Sequence, residues 1–394
     1  MLEGRKRTQM KMMHTWDLHI GKTVNEFSML EDQKFILKQM LDIMEKESVQ
    51  VLLIAGDIYD RSVPSAEAVE VFDWFLTETS KLNISICLVS GNHDSGERIS
   101  FGKDILKQHN IYIRGNLDGI GEPIVLTDAY GTVNVWLLPF FRPAQLKAFG
   151  EQLELRDYES AIHCMMEQMK VNKEERNILV THHFVINRGK EPVEETDSEQ
   201  RISIGGIEQV DYHAFDSFDY VALGHLHGAQ KVGRETVRYS GSPLKYSFSE
   251  EFHQKSVVVL DVKEKGTITY DLVPLKPMKD MRRVEGRLEE LLKEEIVNAE
   301  NRQDYIGVTL TDEEEIFDAI TKVRAVYPNV MQLSFKRKEQ KREDLVQTLE
   351  SIKQKTPFDL TKDFLQRVNG EEQLDQFESM VSKWMQELME QKEG

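Results

Sequence analysis

The chain is most constrained by a set of short apolar runs that each stop in a polar turn. They are VQVLLIAGD (49–57), ISICLVSGN (84–92), NILVTHH (177–183) and DYVALGHLH (219–227). Rich in β-branched residues and bounded by turn residues, they read as buried strands. One longer stretch, 29–47, precedes the first of them and a second, 66–81, lies between the first two, both with apolar residues at helical spacing. Pro64, just before Ser65, marks the start of the second. Buried strands alternating with amphipathic helices imply a layered α/β core. Further on, VRYSGSPLKYSFSEEFHQKSVVVLDV (237–262) reads as a hairpin of antiparallel strands.

A change of composition at LVPLKPMKDMRR (272–283), with two prolines, marks a boundary. Beyond it YIGVTL, TDEEEIFDAITKVRAVYP and NVMQLSF read as strand, helix and strand of a small α+β domain. Thr311 and Glu314 have the spacing of a capping box, and the acidic run 313–315 suits a helix N-terminus. FKRKEQKRED (335–344) is a basic linker. The last segment reads as two helices, the second with Phe377, Met380, Val381, Trp384, Met385, Leu388 and Met389 at helical spacing. The expected divisions are a leader or extension (1–9), a first domain (10–277), an α+β domain (278–338) and a linker with a helical tail (339–394).

A chain of 394 residues suggests two or three domains. Its apolar runs are too short and too broken by charge to cross a membrane. The basic leader has no apolar stretch after it, so it is not a secretory signal. Two cysteines, Cys87 in a strand and Cys164 in a helix, fit buried thiols in a reducing cytoplasm. A net charge of −18 argues against a broadly basic surface, while leaving room for a local basic patch.

The polar ends of the strands carry the chemistry. HTWDLH (14–19), AGDIYDR (55–61), SGNHD (90–94), THH (181–183) and GHLH (224–227) place Asp, Asn or His after apolar runs. Ligands of open α/β sheets bind at the carboxyl ends of the strands, so these turns are expected to meet at one edge. Asp17 and His19 are two apart, as are His225 and His227; an extended backbone would send each pair to one face. Any one motif alone is most simply a turn with surface polar residues, but together, in order on successive strands, they exceed coincidence. Oxygen and imidazole donors without thiolate suit manganese, iron, zinc or magnesium. Asp17, His19, Asp57, Asn92, His182, His225 and His227 are too many for one ion. They suit two ions sharing a carboxylate, the arrangement that activates water against phosphate esters.

On these motifs the chain resembles the calcineurin-like metallophosphoesterase superfamily, with its Asp-x-His, Gly-Asp, Gly-Asn-His-Asp, further His and Gly-His-x-His. LHIGK, LIAGDIYDR, SGNHDSGERISFG, ILVTHHFV followed by SIGG, and GSPLKYSFSE make it most similar to the nuclease subunits of bacterial SbcC–SbcD exonucleases. The resemblance implies a four-layer α/β sandwich, two mixed sheets flanked by helices, with a small α+β capping domain and a helical C-terminal tail. It implies two divalent ions, manganese first. Asp17, His19, Asp57 and His227 would hold one, and Asp57, Asn92, His182 and His225 the other. His182 is chosen over His183 because the family's ligand directly follows the strand.

The same resemblance gives His93 the role of the acid that serves the leaving oxygen. Asp94 joins it in the catalytic set, holding the loop or orienting His93. Asp60 and Arg61 would fall on the substrate side or brace the loop, or form a plain salt bridge; Lys336, Arg337 and Lys338 would meet DNA phosphates, or belong to a solvated linker that neutralises acidic neighbours. Phe358, Leu360, Phe364, Phe377 and Trp384 would dock on an SbcC-type, SMC-like ATPase, the alternative being a tail helix that packs its apolar face on the chain's own core. Having no Walker-type loop, this chain leaves ATP to that partner. A homodimer within a heterotetramer acting on duplex ends and hairpins in the bacterial cytoplasm, near the nucleoid, completes the expectation. The competing readings are a phosphodiesterase or phosphatase for small nucleotides and a catalytically impaired DNA-end scaffold. Trp16, before Asp17, departs from the family's small residue and would bring a bulky ring under the first metal position.

Overall fold

The computed structural model describes residues 9–149, 157–188, 196–197, 208–314 and 316–336. Twelve strands build the main body: β1 (Met10–Thr15), β2 (Val51–Ala55), β3 (Ser85–Val89), β4 (Ile111–Arg114), β5 (Ile124–Asp128), β6 (Gly131–Leu138), β7 (Arg176–Thr181), β8 (Tyr220–Leu223), β9 (Gln230–Val232), β10 (Arg234–Tyr239), β11 (Ser256–Val262) and β12 (Ile268–Pro274). They form two six-stranded sheets, ordered β12-β11-β1-β2-β3-β4 and β9-β10-β8-β7-β6-β5. In each sheet four strands run parallel, β1 to β4 in the first and β6, β7, β8 and β10 in the second. Antiparallel strands complete the edges.

Side-chain alternation explains the layers. Along β1, β2 and β3, Met12, Leu53, Ala55, Cys87 and Val89 face the second sheet, packing with Val135, Leu137, Ile178 and Val221. Their neighbours Met13, Leu52, Ile54, Ile86 and Leu88 face the other way, as a period of two requires. There they meet α1 (Leu30–Lys46) and α2 (Ala66–Lys81) through Ile36, Met40, Met44, Phe72 and Phe75. α3 (Tyr158–Met169) brings Tyr158, Ala161, Ile162 and Met165 into the core of the second sheet. The result is the expected α/β sandwich of two mixed sheets with helices. Ser65, after Pro64, caps α2, its hydroxyl accepting from the Ala68 amide at 3.3 Å. Cys87 is buried as expected; Cys164 is only half-buried.

Three expectations need correction. The five polar strand ends do not lie on one sheet: β1, β2 and β3 belong to the first, β7 and β8 to the second. Segment 237–262 is no hairpin. Its two strands, β10 and β11, join different sheets, and the antiparallel partners of β11 are β1 and β12. The run after Thr311 does not start a helix there; α4 (Ala319–Arg324) begins at Ala319, after Asp318 takes a left-handed φ of 51°. The Asp312 carboxylate instead accepts from the Leu288 amide at 2.8 Å.

The chain divides into two compact units. Among the described residues one holds 9–283, 298–307 and 327–332, with both large sheets; the other holds 284–297, 308–326 and 333–336.

Candidate metal centre

The site is built from strand ends that turn sharply. β1 stops at Thr15, and Asp17 and His19 both adopt left-handed φ values of 45° and 43°. The expectation of an extended Asp-x-His therefore fails, although both side chains still reach one place. Asp57 (49°) and His225 (106°) are also in positive-φ conformations. Such backbone costs of order 1–3 kcal/mol per residue and persists only where its surroundings over-determine it.

Here they do. The Asp17 and His19 amides donate to the carbonyls of Gly56 (3.2 Å) and Asp57 (3.0 Å), so the two motif loops run side by side. Gln33, from α1, donates to the carbonyls of Leu18 (3.2 Å) and His19 (2.7 Å). Tyr246 donates its hydroxyl to the Leu18 carbonyl at 2.6 Å.

Around these loops the donor atoms converge. The Oδ2 of Asp17 is 3.2 Å from the Nε2 of His227, which is 3.3 Å from the Nε2 of His19. The Oδ2 of Asp57 lies 3.8 Å from that His19 atom and 3.4 Å from the Nε2 of His182. His182 Nε2 is also 2.9 Å from the Oδ1 of Asn92. The His225 ring is edge-on to His182 at 5.4 Å between centroids. Potential ligand atoms of Asp17, His19 and His227, and those of Asp17, Asp57 and His182, each lie within 4.8 Å of one another. Asp17 is common to both groups, and Asp57, His19 and His93 form a third.

The glycines before these residues are demanded by space. A Cβ on Gly91 would sit 2.1 Å from Asp57 Oδ1, and one on Gly56 or Gly224 would sit 2.5 Å from His182 Nδ1. The carboxylate and the imidazole occupy the room that side chains would take. A buried, thiolate-free set of carboxylate, amide and imidazole donors fits hard-to-borderline divalent cations.

The electrostatics agree. Burial holds the His225 imidazole down to about 3 and lowers His19 and His227 as well, so they stay neutral, the form in which an imidazole ligates a metal. His182 goes the other way: burial opposes its charge, but the Asp57 carboxylate, the Ala55 carbonyl and Asp94 together raise it. Burial would raise Asp57, yet His182, His19 and His93 hold it far below the usual carboxylate range.

His93 donates Nδ1–H to the Asp60 carbonyl at 2.9 Å, and its Nε2 faces the site 4.0 Å from Asp57 Oδ2. The Asp94 carboxylate accepts from the amides of Gly91 (2.9 Å), Ile58 (3.1 Å) and Tyr59 (3.1 Å), the geometry of a loop brace. Asp60 pairs with Lys22 at 2.7 Å, and Arg61 extends into solvent. His183 turns away into the core, with Nδ1 2.9 Å from Thr181 Oγ1 and its ring against Phe140 and Phe141. Trp16 is fully buried and meets His182 and His227 edge-on, centroids 6.0 and 5.9 Å apart. Its indole thus lies against two of the candidate imidazoles.

Lys336 is ion-paired with Glu285. Arg337, Lys338, Phe358, Leu360, Phe364, Phe377 and Trp384 lie outside the described residues. Sequence reasoning missed Gln33, Tyr246 and Glu250. The only signal for the last two was GSPLKYSFSE, which carries resemblance but no metal-ligand spacing.

The calcineurin-like phosphoesterase profile matches residues 10–229, and that of the type 5 capsule protein repressor C-terminal domain matches residues 277–369. A protein of Staphylococcus epidermidis, named as the SbcD component of the nuclease SbcCD, is 37% identical over 328 residues, covering 82% of this chain and 85% of that one. Its namesake from Staphylococcus saprophyticus is 30% identical over 328 residues, covering 82% and 84%. A dimetal phosphatase from Danio rerio is similar in structure at TM-score 0.39 and 11% identity, covering 68% of this chain and 96% of its own. With its motif residues gathered at the ends of two sheets, the chain belongs to the calcineurin-like phosphoesterase family and, within it, to the SbcD family of nuclease components.

Proposed function

We propose that this chain is a metal-dependent DNA nuclease, the hydrolytic component of an SbcC–SbcD-type complex in repair and recombination. The observation that carries the reading is the convergence of Asp17, His19, Asp57, His182 and His227 on one buried centre. Asp17, His19, Asp57 and His227 hold the first ion; Asp57, Asn92, His182 and His225 hold the second, with Asp57 shared. Manganese is the first choice for both. Such an ion pair, when bound, ionises water near neutral pH and offsets the charge of a phosphodiester.

The chain's own residues do the rest. His93 has Nδ1 tied to the Asp60 carbonyl, so Nε2 is the atom that hands a proton to the leaving oxygen. Asp94 keeps the loop of His93 against the loop of Asp57. Exposed Arg61 meets the phosphate backbone, and Lys336, Arg337 and Lys338 make phosphate contacts of their own. An SbcC-type ATPase receives the C-terminal segment that includes Phe358, Leu360, Phe364, Phe377 and Trp384, and supplies all use of ATP. Phe101 and Ile105, 86% and 67% exposed just after the Gly-Asn-His-Asp loop, support a homodimer, because apolar side chains so exposed favour a partner. No helix among the described residues is long and apolar enough to cross a membrane, in keeping with a cytoplasmic, nucleoid-associated role.

The test is cleavage of linear duplex and hairpin DNA by the purified chain with manganese, beside Asp57→Ala and a p-nitrophenyl phosphodiester. DNA cleavage that the substitution abolishes supports the nuclease. Turnover of the small ester alone, even after an SbcC-type partner is added, would overturn it in favour of a small-nucleotide phosphodiesterase. No turnover of either substrate would leave a DNA-end scaffold.

A further inference from the structure

Behind His227 lies a buried polar cluster that the hydrolytic reading does not use. Glu250 closes the GSPLKYSFSE segment and is fully buried. Its carboxylate accepts from the Nδ1–H of His227 at 3.2 Å and from the Tyr246 amide at 3.3 Å. Lys255 donates to it at 2.6 Å and also reaches the Ser242 hydroxyl (2.9 Å) and the His227 carbonyl (3.0 Å). The imidazole and its own backbone are thus held by one ion pair. His182, on the other side of the centre, has a different backing: its Nδ1 faces the neutral carbonyl of Ala55 at 2.7 Å.

We propose that Glu250 is a positioning residue for His227: it holds the Nδ1–H so that Nε2 points at Asp17 and His19, and it thereby sets the affinity of the first ion but not of the second. A carboxylate behind a ligating imidazole fixes its tautomer and raises its basicity. A carbonyl fixes the tautomer with less effect on basicity, so the two halves of the centre are backed unequally. Lys255 makes the arrangement tenable by neutralising a charge that would otherwise be buried alone. The inference rests on the two-ion reading above.

The experiment is calorimetric titration of manganese into metal-stripped wild type, Glu250→Gln and Glu250→Asp, with melting of each metal-free protein. The Gln variant removes the charge; the Asp variant keeps the pair with Lys255 but withdraws the oxygen from Nδ1. We expect two ions in wild type and a loss of about 10–100-fold at one site in both variants, the second site being unchanged. Combining Glu250→Gln with Asn92→Ala, a change at the second site, should weaken both. Wild-type affinity at both sites in either variant overturns the role of Glu250 and leaves the two-ion reading intact. Fewer than two ions in wild type overturns that reading, and this inference with it. Should neither variant fold, the zinc-loaded wild type decides by nitrogen-edited proton NMR. A protected His227 Nδ1–H signal is expected, and its absence overturns the proposal.

Discussion

His182 directly follows a strand of the second sheet, and its Nδ1 lies 2.7 Å from the carbonyl oxygen of Ala55, at the end of a strand of the first. That hydrogen bond joins the sheets and turns Nε2 toward Asn92 and Asp57. Metal binding should therefore be visible as stability. At free manganese near 100 times Kd the folded state gains about 2.7 kcal/mol. His182→Ala and Asp57→Ala should each lose most of the accompanying rise in Tm, measured by calorimetry with and without a chelator.

His93 is separable from the metal ligands, since its Nδ1 is tied to the Asp60 carbonyl and its Nε2 faces the site. His93→Gln should lower kcat on DNA by about 10²–10⁴-fold, the usual worth of a general acid, while the manganese-induced rise in Tm persists. On a p-nitrophenyl phosphodiester, whose leaving group needs no proton, the loss should be much smaller. Equal losses on both substrates would remove the acid role.

Gly91→Ala should disable the site by volume alone. The residue lies outside the left-handed region, but a Cβ there would press within 2.1 Å of Asp57 Oδ1. Overpacking of this kind costs about 1–3 kcal/mol, and the displaced carboxylate should lose manganese. Gly266→Ala is the control: its φ is +78° with nothing within 4 Å of the new Cβ. It should cost about 1–2 kcal/mol of stability and keep full activity, as melting and turnover together would reveal.

His14 predicts an acid limb of the stability curve. It is buried between the sheets, Nδ1 3.0 Å from the Tyr220 hydroxyl and Nε2 3.2 Å from the Leu223 carbonyl. Burial, with help from Arg238, pushes it down to about 3, although the Leu223 hydrogen bond works the other way. The unfolded chain takes up this proton below pH 6.5 and the folded chain does not. Stability is thus complete above that pH and is lost as pH falls toward 3, at about 1.4 kcal/mol per pH unit for one proton. Denaturant melts of the metal-free protein should show His14→Gln with a slope shallower by that amount between about pH 6 and 4.

Much of this centre was legible because apolar runs ending in Asp, Asn and His announce themselves within a few residues. What stayed hidden was conformational or distant. Nothing in HTWDLH shows that Asp17 and His19 leave the strand in left-handed turns, because carbonyl acceptors from Gly56 and Asp57 impose that path. The split across two sheets depends on pairings such as β1 with β11, which local periodicity does not encode. The capping-box pattern at Thr311 misled, and Asp312 finds a long-range partner in Leu288 instead. Trp16, a local irregularity by its bulk, proved to be buried core against Tyr239, His182 and His227.

The ring nitrogens of His19 and His227 are neighbours in space, yet 208 residues separate them along the chain. An ion held by both is a cross-link that closes most of the main body into a single covalent-plus-coordinate loop. A disulfide does the same to an unfolded chain, and the entropy it removes grows only slowly with loop length. Release of the ion thus does more than silence hydrolysis: it reopens that long loop and leaves the docking of the two sheets to side-chain packing and a few hydrogen bonds.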